Sequence, residues 1–292
     1  MRLRAALSQG LRTLLAHQVP SAQLAAELLL IHVLGHDRGY LHAHTEEEVL
    51  PESIERYFQL IAERATGKPT QYITGHQEFW GLDFEVTPDV LIPRPETEHV
   101  VECVLELALR HGGNDARLRI ADVGTGSGCI ALSLAAEFPR AILFGLDLSR
   151  PALVVASRNA VRLNMPERVK FLEGDLLQRL LEPDFVGTFD FVVSNPPYVG
   201  KSEIEKVQRE VRDFEPRLAW GGDLEYGEEV YARLFPQALR ALRPGGWVVV
   251  EIGYSMRERV LALLGEDWEE IVVTPDLAGI PRVVSARKRP EG

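Results

Sequence analysis

Apolar residues recur at helical spacing through the first 66 positions of the chain. In "MRLRAALSQGLRTLLAHQV", Leu3, Leu7, Leu11, Leu14 and Leu15 share a face, so an amphipathic helix is expected rather than a signal peptide. Ser21 is placed to cap a second helix that runs to Leu34, with Gly35 to end it. Thr45 and Glu48 have capping-box spacing and Pro51 suits a first turn. Ile54, Phe58, Ile61 and Ala62 then mark the apolar face of a helix ending at Gly67. From 69 to 95 the period changes to two. Phe79, Leu82, Phe84 and Val86, with Gly75 and Gly81 as breakers, predict a β-hairpin. Residues 96–113 predict a helix with an acidic first turn and Arg110 in its last. Strands then alternate with helices, at 118–123, 141–147, 168–172, 189–194, 246–252, 269–274 and 282–287. That alternation is the mark of an α/β fold, a parallel sheet with helices on both faces. The expected organisation is a helical domain over 1–68, a hairpin linker over 69–95 and an α/β domain over 96–292.

The first strand of the α/β part runs into a glycine turn and a helix, "LRIADVGTGSGCIALSLA". Gly124, Gly126 and Gly128, with Thr125 and Ser127 between them, let the backbone curl beneath a ligand, and the helix after them points its N–H groups there. A dinucleotide fingerprint would place its third glycine at 129, where Cys129 stands. Asp147 ends the next strand, where a carboxylate can grip two ribose hydroxyls. Asp175 and Leu176 follow the third strand; the first can accept from an adenine amino group while the second covers its ring. These loops point to an adenosine-bearing ligand and fit S-adenosylmethionine better than NAD, because no loop remains for a second nucleotide.

The fourth strand ends in "FDFVVSNPPYVG". Neither Pro196 nor Pro197 can donate to a sheet ladder, so the strand must stop in a stiff turn. Strand ends of this kind face the ligand in open α/β sheets. The Asn195 side-chain carbonyl and the Pro196 main-chain carbonyl then form a pair of acceptors suited to a planar NH₂ group. Tyr198 supplies a ring that can lie against it.

The chain has 292 residues, enough for two cores, and a formal net charge of −11 with no Lys/Arg run. That balance speaks against wrapping nucleic acid directly, which calls for a basic patch. No apolar run reaches the roughly 18 residues of a membrane span, so a cytoplasmic protein is expected. Cys103 and Cys129 stand 26 apart and read as buried thiols, not a disulfide or zinc pair. Five of the eight histidines lie in the helical part, and His32 and His36 would share a face only if their helix ran one turn further; no metal site is expected.

Taken with these residues, the chain resembles the HemK/PrmC family of peptide chain release factor protein-(glutamine-N5) methyltransferases. The resemblance covers nearly the whole sequence and is carried most specifically by "PTQYITGHQEFWGLDFEVTPDVLIPRPETE" and by "EIGY" followed by "DLAGIPRVV". It implies a class I S-adenosylmethionine-dependent methyltransferase with a Rossmann-like seven-stranded sheet, preceded by a helical substrate-docking domain. It also implies S-adenosyl-L-methionine as methyl donor, S-adenosyl-L-homocysteine as product, and class I release factors with their Gly-Gly-Gln loop as substrate. Gly124 to Gly128, Asp147, Asp175, Leu176 and Asn195 would then hold cofactor. Asn195, Pro196, Pro197 and Tyr198 would hold the glutamine, with Asn195 as the catalytic residue. Leu176 departs from the family's usual aromatic, and Glu228 from its usual leucine. The same tetrapeptide resembles that of DNA adenine-N6 methyltransferases, which flip a base against the tyrosine; a non-catalytic S-adenosylmethionine-binding module is the third reading.

Overall fold

The computed structural model describes residues 1–110, 113 and 117–290. They divide into two compact units, Met1–His76 with Gln208–Phe214, and Gln77–Val207 with Glu215–Gly292. The expected linker thus falls mostly within the second unit, from Gln77 on.

The first unit is helical: α1 (Leu3–Ala16), α2 (Ala22–Leu34), α3 (Arg38–Ala43), α4 (Pro51–Ala65), α5 (Thr70–Thr74) and, from the later segment, α9 (Arg209–Phe214). Its core joins Leu3, Ala6 and Leu14 to Ala26, Leu29, Leu30, Tyr57, Leu60 and Ile61. Gly10 sits mid-helix because a Cβ there would overlap the Tyr57 hydroxyl. Glu27 is buried in α2 and is satisfied by Gln23 Nε2 at 3.0 Å and Arg38 Nε at 2.7 Å.

Several local expectations are corrected here. Ser21 precedes α2 but lies in the left-handed region (φ 49°) and makes no side-chain cap, whereas Gly35 ends the helix as expected at φ 69°. Thr45 and Glu48 do not cap α4: Glu48 bridges to Arg2, and Leu50 stands at the cap position. The buried face of α4 is Tyr57, Leu60, Ile61 and Arg64, while Ala62 is exposed. Arg64 can occupy that face because its head group donates to Lys68 O at 3.1 Å and pairs with Glu210. The helix α5 was hidden within the period-two stretch. His36 lies beyond the end of α2 and stacks on Tyr40 at 3.7 Å, with His44 on that ring's other side at 4.1 Å.

The second unit opens with the hairpin strands β1 (His76–Phe79) and β2 (Leu82–Glu85), followed by a single 3₁₀ turn (Pro95–Thr97) and α6 (Glu98–Leu109). Arg110 is the C-cap of α6, and the predicted continuation through His111 and Gly112 lies outside the described residues. The sheet comprises β3 (Arg119–Val123), β4 (Ile142–Asp147), β5 (Val169–Glu173), β6 (Phe189–Ser194), β7 (Leu242–Glu251), β8 (Trp268–Pro275) and β9 (Pro281–Lys288). Their order is β5-β4-β3-β6-β7-β9-β8, parallel except for the antiparallel pairings of β9 with β7 and β8. The intervening helices are α7 (Cys129–Glu137), α8 (Arg150–Arg162), α10 (Arg217–Trp220), α11 (Glu229–Ala241) and α12 (Arg257–Ala262).

Alternation along the strands builds two cores. Ile120, Leu143, Trp247, Val249 and Val283 face α6 and α7. Ala121, Val123, Phe144, Leu146, Val248, Val250 and Val284 face α11 and α12. A register shift between Phe189 and Phe191 swaps the parity of β6, so Phe189 joins the second core and Phe191 the first. Cys103 and Cys129 are free, buried thiols. No helix among the described residues is long and apolar enough to cross a membrane.

Two carboxylates are enclosed by this packing, Asp122 in β3 and Glu251 at the end of β7. Burial pushes each up to about 7, against hydrogen bonds that pull it down. An acid whose folded pKa is raised favours the native state fully below its unfolded value, near 4 here, and that contribution is lost as pH rises through about 7. From about pH 4 to pH 7 the amide of Asp122→Asn, which cannot ionise, should therefore flatten the stability profile. The variant should gain on the wild type as pH rises, by an amount on the order of a few kcal/mol. Urea unfolding at several pH values measures this, and a gap independent of pH would show that Asp122 is not strained by its burial.

Candidate active site

The chain crosses from one side of the sheet to the other between β3 and β6, and the carboxyl ends of these strands open onto a cavity of about 300 Å³. That is the size of small-molecule pockets, roughly 300–1,000 Å³, and the place where open α/β sheets bind ligands.

Its floor is the glycine turn. Gly124 N and Thr125 N both donate to Leu146 O, at 2.8 and 2.9 Å, which folds the loop back over β4. Gly124, Gly126 and Gly128 all have positive φ, at 73°, 55° and 82°. Gly128 starts α7, where a Cβ would come within 3.1 Å of Leu132 and 3.3 Å of Ala156. Asp122 steadies the turn from below, its Oδ2 accepting from Thr125 Oγ1 at 2.6 Å and Ala131 N at 3.2 Å. Cys129, at the place of a dinucleotide fingerprint's third glycine, is a thiol that burial pushes up to about 12.

Asp147 reaches back to the same turn. Its Oδ2 accepts from Gly126 N at 2.9 Å and its Oδ1 from Ser149 N at 2.8 Å. Burial raises its pKa, and these backbone donors oppose the rise. Each oxygen keeps a lone pair for a hydroxyl. On the neighbouring rim Asp175 is ion-paired to Arg233 through Oδ2, so Oδ1 is the oxygen left to accept from a base. Leu176 lies in the wall with φ 52°, a conformation uncommon for a side chain of this size, and Leu177 N is held by Gln237 Oε1 at 3.0 Å.

At the end of β6, Asn195 and Pro197 line the cavity, Pro196 is buried, and Tyr198 opens onto a smaller cavity of about 110 Å³ with Val199, Gly253 and Met256. Asn195 Nδ2 donates to Thr97 Oγ1 at 3.0 Å, and Thr97 Oγ1 donates to Glu251 Oε2 at 2.5 Å. Tyr198 Oη donates to Glu251 Oε1 at 3.3 Å, and Tyr231 Oη to the Glu251 carbonyl at 2.8 Å. Asn195 Oδ1 has no hydrogen-bond partner among the described residues.

Of the residues expected to bind, Gly124, Thr125, Gly126, Ser127, Asp147, Asp175, Leu176, Asn195 and Pro197 meet in this one cavity; Gly128, Pro196 and Tyr198 lie behind or beside it. Sequence reasoning missed a whole wall. Val90, Leu91, Pro93 and Arg94 come from the segment read as a linker, and Thr97 from the start of the helix predicted after it. Buried Glu215 fixes that segment by accepting from Ile92 N at 3.1 Å and from Arg94 Nη2 at 2.5 Å. Asn159 was missed as well. It is buried and clamps Glu85 N at 2.7 Å, Glu85 O at 3.0 Å and Ser127 O at 2.9 Å, tying the hairpin to the glycine turn. The rigid "IPRPETE" offered a signal for the wall; an isolated helical asparagine offers none. No group of three or more His, Cys, Asp or Glu among the described residues is placed to hold a metal ion.

Among solved structures, the chain is similar to the hMettl16 catalytic domain crystallised with an RNA hairpin. The TM-score is 0.53, with 19% identity over 80% of this chain and 82% of that one. It is also similar to a methyltransferase from Pyrococcus furiosus, at a TM-score of 0.50 and 20% identity over 81% of this chain and 99% of that one. At such identity the likeness concerns the fold, that of S-adenosylmethionine-dependent methyltransferases. Residues 5–75 match the PrmC N-terminal domain and residues 105–227 the methyltransferase small domain. The release factor glutamine methyltransferase of Koribacter versatilis is 50% identical over 99% of both chains, and that of Moorella thermoacetica 43% over the whole of both. On that likeness along its full length, the chain belongs to the release factor glutamine methyltransferase family.

Proposed function

We propose that this enzyme methylates the side-chain N5 of the glutamine in the Gly-Gly-Gln motif of class I release factors, with S-adenosyl-L-methionine as donor and S-adenosyl-L-homocysteine as product. One observation carries the reading: Asn195 lines the cavity with its amide nitrogen already engaged by Thr97, leaving Oδ1 as an acceptor for a planar NH₂.

The donor set fits an adenosine-bearing cofactor. The glycine turn takes positive φ at Gly124, Gly126 and Gly128, Asp147 offers lone pairs to ribose hydroxyls, and Asp175 Oδ1 with Leu176 lines the cavity beside them. Gly124, Thr125, Gly126, Ser127, Gly128, Asp147, Asp175, Leu176 and Asn195 are the residues proposed to hold it. When bound, the cofactor supplies an electrophilic methyl carbon on a sulfonium, whose sulfur takes the electron pair of the broken bond.

Asn195 and Pro197, which line the cavity, are proposed to hold the glutamine, with Pro196 behind them and Tyr198 beside them. An amide nitrogen is a poor nucleophile because its lone pair is delocalised; the same resonance gives peptide bonds a barrier of about 18–20 kcal/mol. Asn195 Oδ1 and the Pro196 carbonyl each take one N–H, which aims the nitrogen and stabilises positive charge as it grows there. No strong base is required, since the proton becomes acidic only once nitrogen carries the methyl group, and it then leaves to water. Residues 1–68 are proposed as the docking domain for the protein substrate, residues 69–95 as the linker that also walls the site, and 96–292 as the methyltransferase domain. A translation factor as substrate places the reaction in the cytoplasm. No direct binding of nucleic acid or membrane belongs to this reading, in keeping with the net charge of −11.

Incubation with labelled cofactor and either a release factor or duplex DNA, followed by peptide mass spectrometry, should find one added methyl on the Gly-Gly-Gln glutamine. Label in DNA alone would favour an adenine enzyme, and label in neither a sensor module. Asn195→Ala should leave cofactor affinity nearly unchanged and cut turnover by ~10²–10³-fold, as for loss of one transition-state hydrogen-bond partner. Asp147→Ala should do the reverse, weakening cofactor affinity by about 10–100-fold in calorimetry. If the two variants shared one phenotype, the division between substrate and cofactor contacts would be wrong. Removing residues 1–68 should raise KM for an intact release factor well above its effect on a short Gly-Gly-Gln peptide; equal increases would reduce the helical domain to a stabilising role.

A further inference from the structure

We propose that Thr97 and Glu251 are positioning residues that set the hydrogen-bond polarity of Asn195, forcing its oxygen rather than its nitrogen toward the substrate amide. This rests on the reading of Asn195 as the holder of the glutamine.

An asparagine amide can lie either way round, and the two orientations are opposite in chemistry: one presents an acceptor, the other two donors. A substrate NH₂ accepts only the first. The shape of the Asn195 side chain does not choose between them, so the choice must come from its neighbour. Thr97 Oγ1 has one proton. That proton is given to Glu251 Oε2 at 2.5 Å, and the other oxygen of the carboxylate receives the Tyr198 hydroxyl at 3.3 Å. Once Glu251 is ionised, both of its oxygens are acceptors, so Thr97 has no proton left for Asn195 and can only accept from it. The amide nitrogen is therefore the group at 3.0 Å, and the oxygen is turned the other way.

Two further features show that this chain of bonds is not incidental packing. Thr97 ends the 3₁₀ turn that runs directly into α6, with helical φ of −68° and ψ of −21°. Here it makes no capping bond. Glu251 is buried at 2% exposure, and no ion pair holds it among the described residues. A buried carboxylate without a counter-ion is costly. Its oxygens serve hydroxyls on two segments of the site, and one of those hydroxyls sets the direction of Asn195.

The test compares kcat, acceptor KM and cofactor Kd for Thr97→Ser, Thr97→Val, Glu251→Gln and Asn195→Ala, with Thr97→Val also placed in the Asn195→Ala background. Serine keeps the donor and acceptor and should stay within about threefold of wild-type kcat. Valine keeps the shape but not the polarity. It should lower kcat by about 10–100-fold with cofactor Kd nearly unchanged, the unchanged Kd also showing that the fold is intact. In Glu251→Gln the new amide can donate to Thr97 and reverse the chain, so kcat should fall there too, covering the case in which the valine variant does not fold. The deciding readout is non-additivity, because groups that act through one another do not add. With Asn195 already truncated, Thr97→Val should cost less than about twofold more. Full additivity, or a serine variant no better than valine, would overturn the proposal. If Asn195→Ala itself turned over normally, the failure would lie in the reading of Asn195; if it were slow while Thr97→Val was not, only the role of Thr97 and Glu251 would fall.

Discussion

The hydrogen bond from Asn195 to Thr97 joins positions 98 residues apart, and much of the site is organised to make it possible. One partner stands where two prolines stop β6, the other where a 3₁₀ turn enters α6. β6 must sit beside β3 at the centre of the sheet, so that the glycine turn and the Asn-Pro-Pro turn emerge side by side. The segment leaving the hairpin must then cross the mouth of the cavity, where Glu215 fixes it by its backbone and by Arg94. The parity swap in β6 belongs to the same requirement. It moves Phe189 into one core and Phe191 into the other, and Ser194 Oγ closes the strand end by donating to Val123 O at 2.6 Å.

The parts legible in the sequence were those governed by local rules. Short apolar runs bounded by breakers located the seven strands of the main sheet closely, because a strand buried on both faces has few other ways to be written. The glycine turn, Asp147 and Asn195 could be placed together because each lies at a strand end, where topology brings it to the cavity.

What stayed hidden depended on partners far away in the chain. The capping box at Thr45 and Glu48 had the right spacing, but Glu48 is drawn into a bridge with Arg2. The buried face of α4 also takes in Arg64, because its guanidinium finds a carboxylate 146 residues away. Asn159, Glu215 and Glu251 act through burial, which no local pattern announces. Thr97 was hidden for a subtler reason. The sequence places it inside the helix expected over 96–113, and only the structure shows its hydroxyl bonded to Glu251.

That diversion suits the chemistry of the substrate. A base strong enough to deprotonate a carboxamide would compete with the amide for the methyl group. Acceptors of fixed direction avoid that difficulty. They are weak nucleophiles, they require no proton to be removed in advance, and their alignment is established by folding rather than at the moment of reaction. The energetic burden then falls on the carboxylate behind them. Glu251 must accept from Thr97 and Tyr198 while excluded from water, and burial pushes it up to about 7 for that reason. Glu251 stands two hydrogen bonds from Asn195, so its influence passes through the Thr97 hydroxyl to the amide proposed to hold the substrate nitrogen.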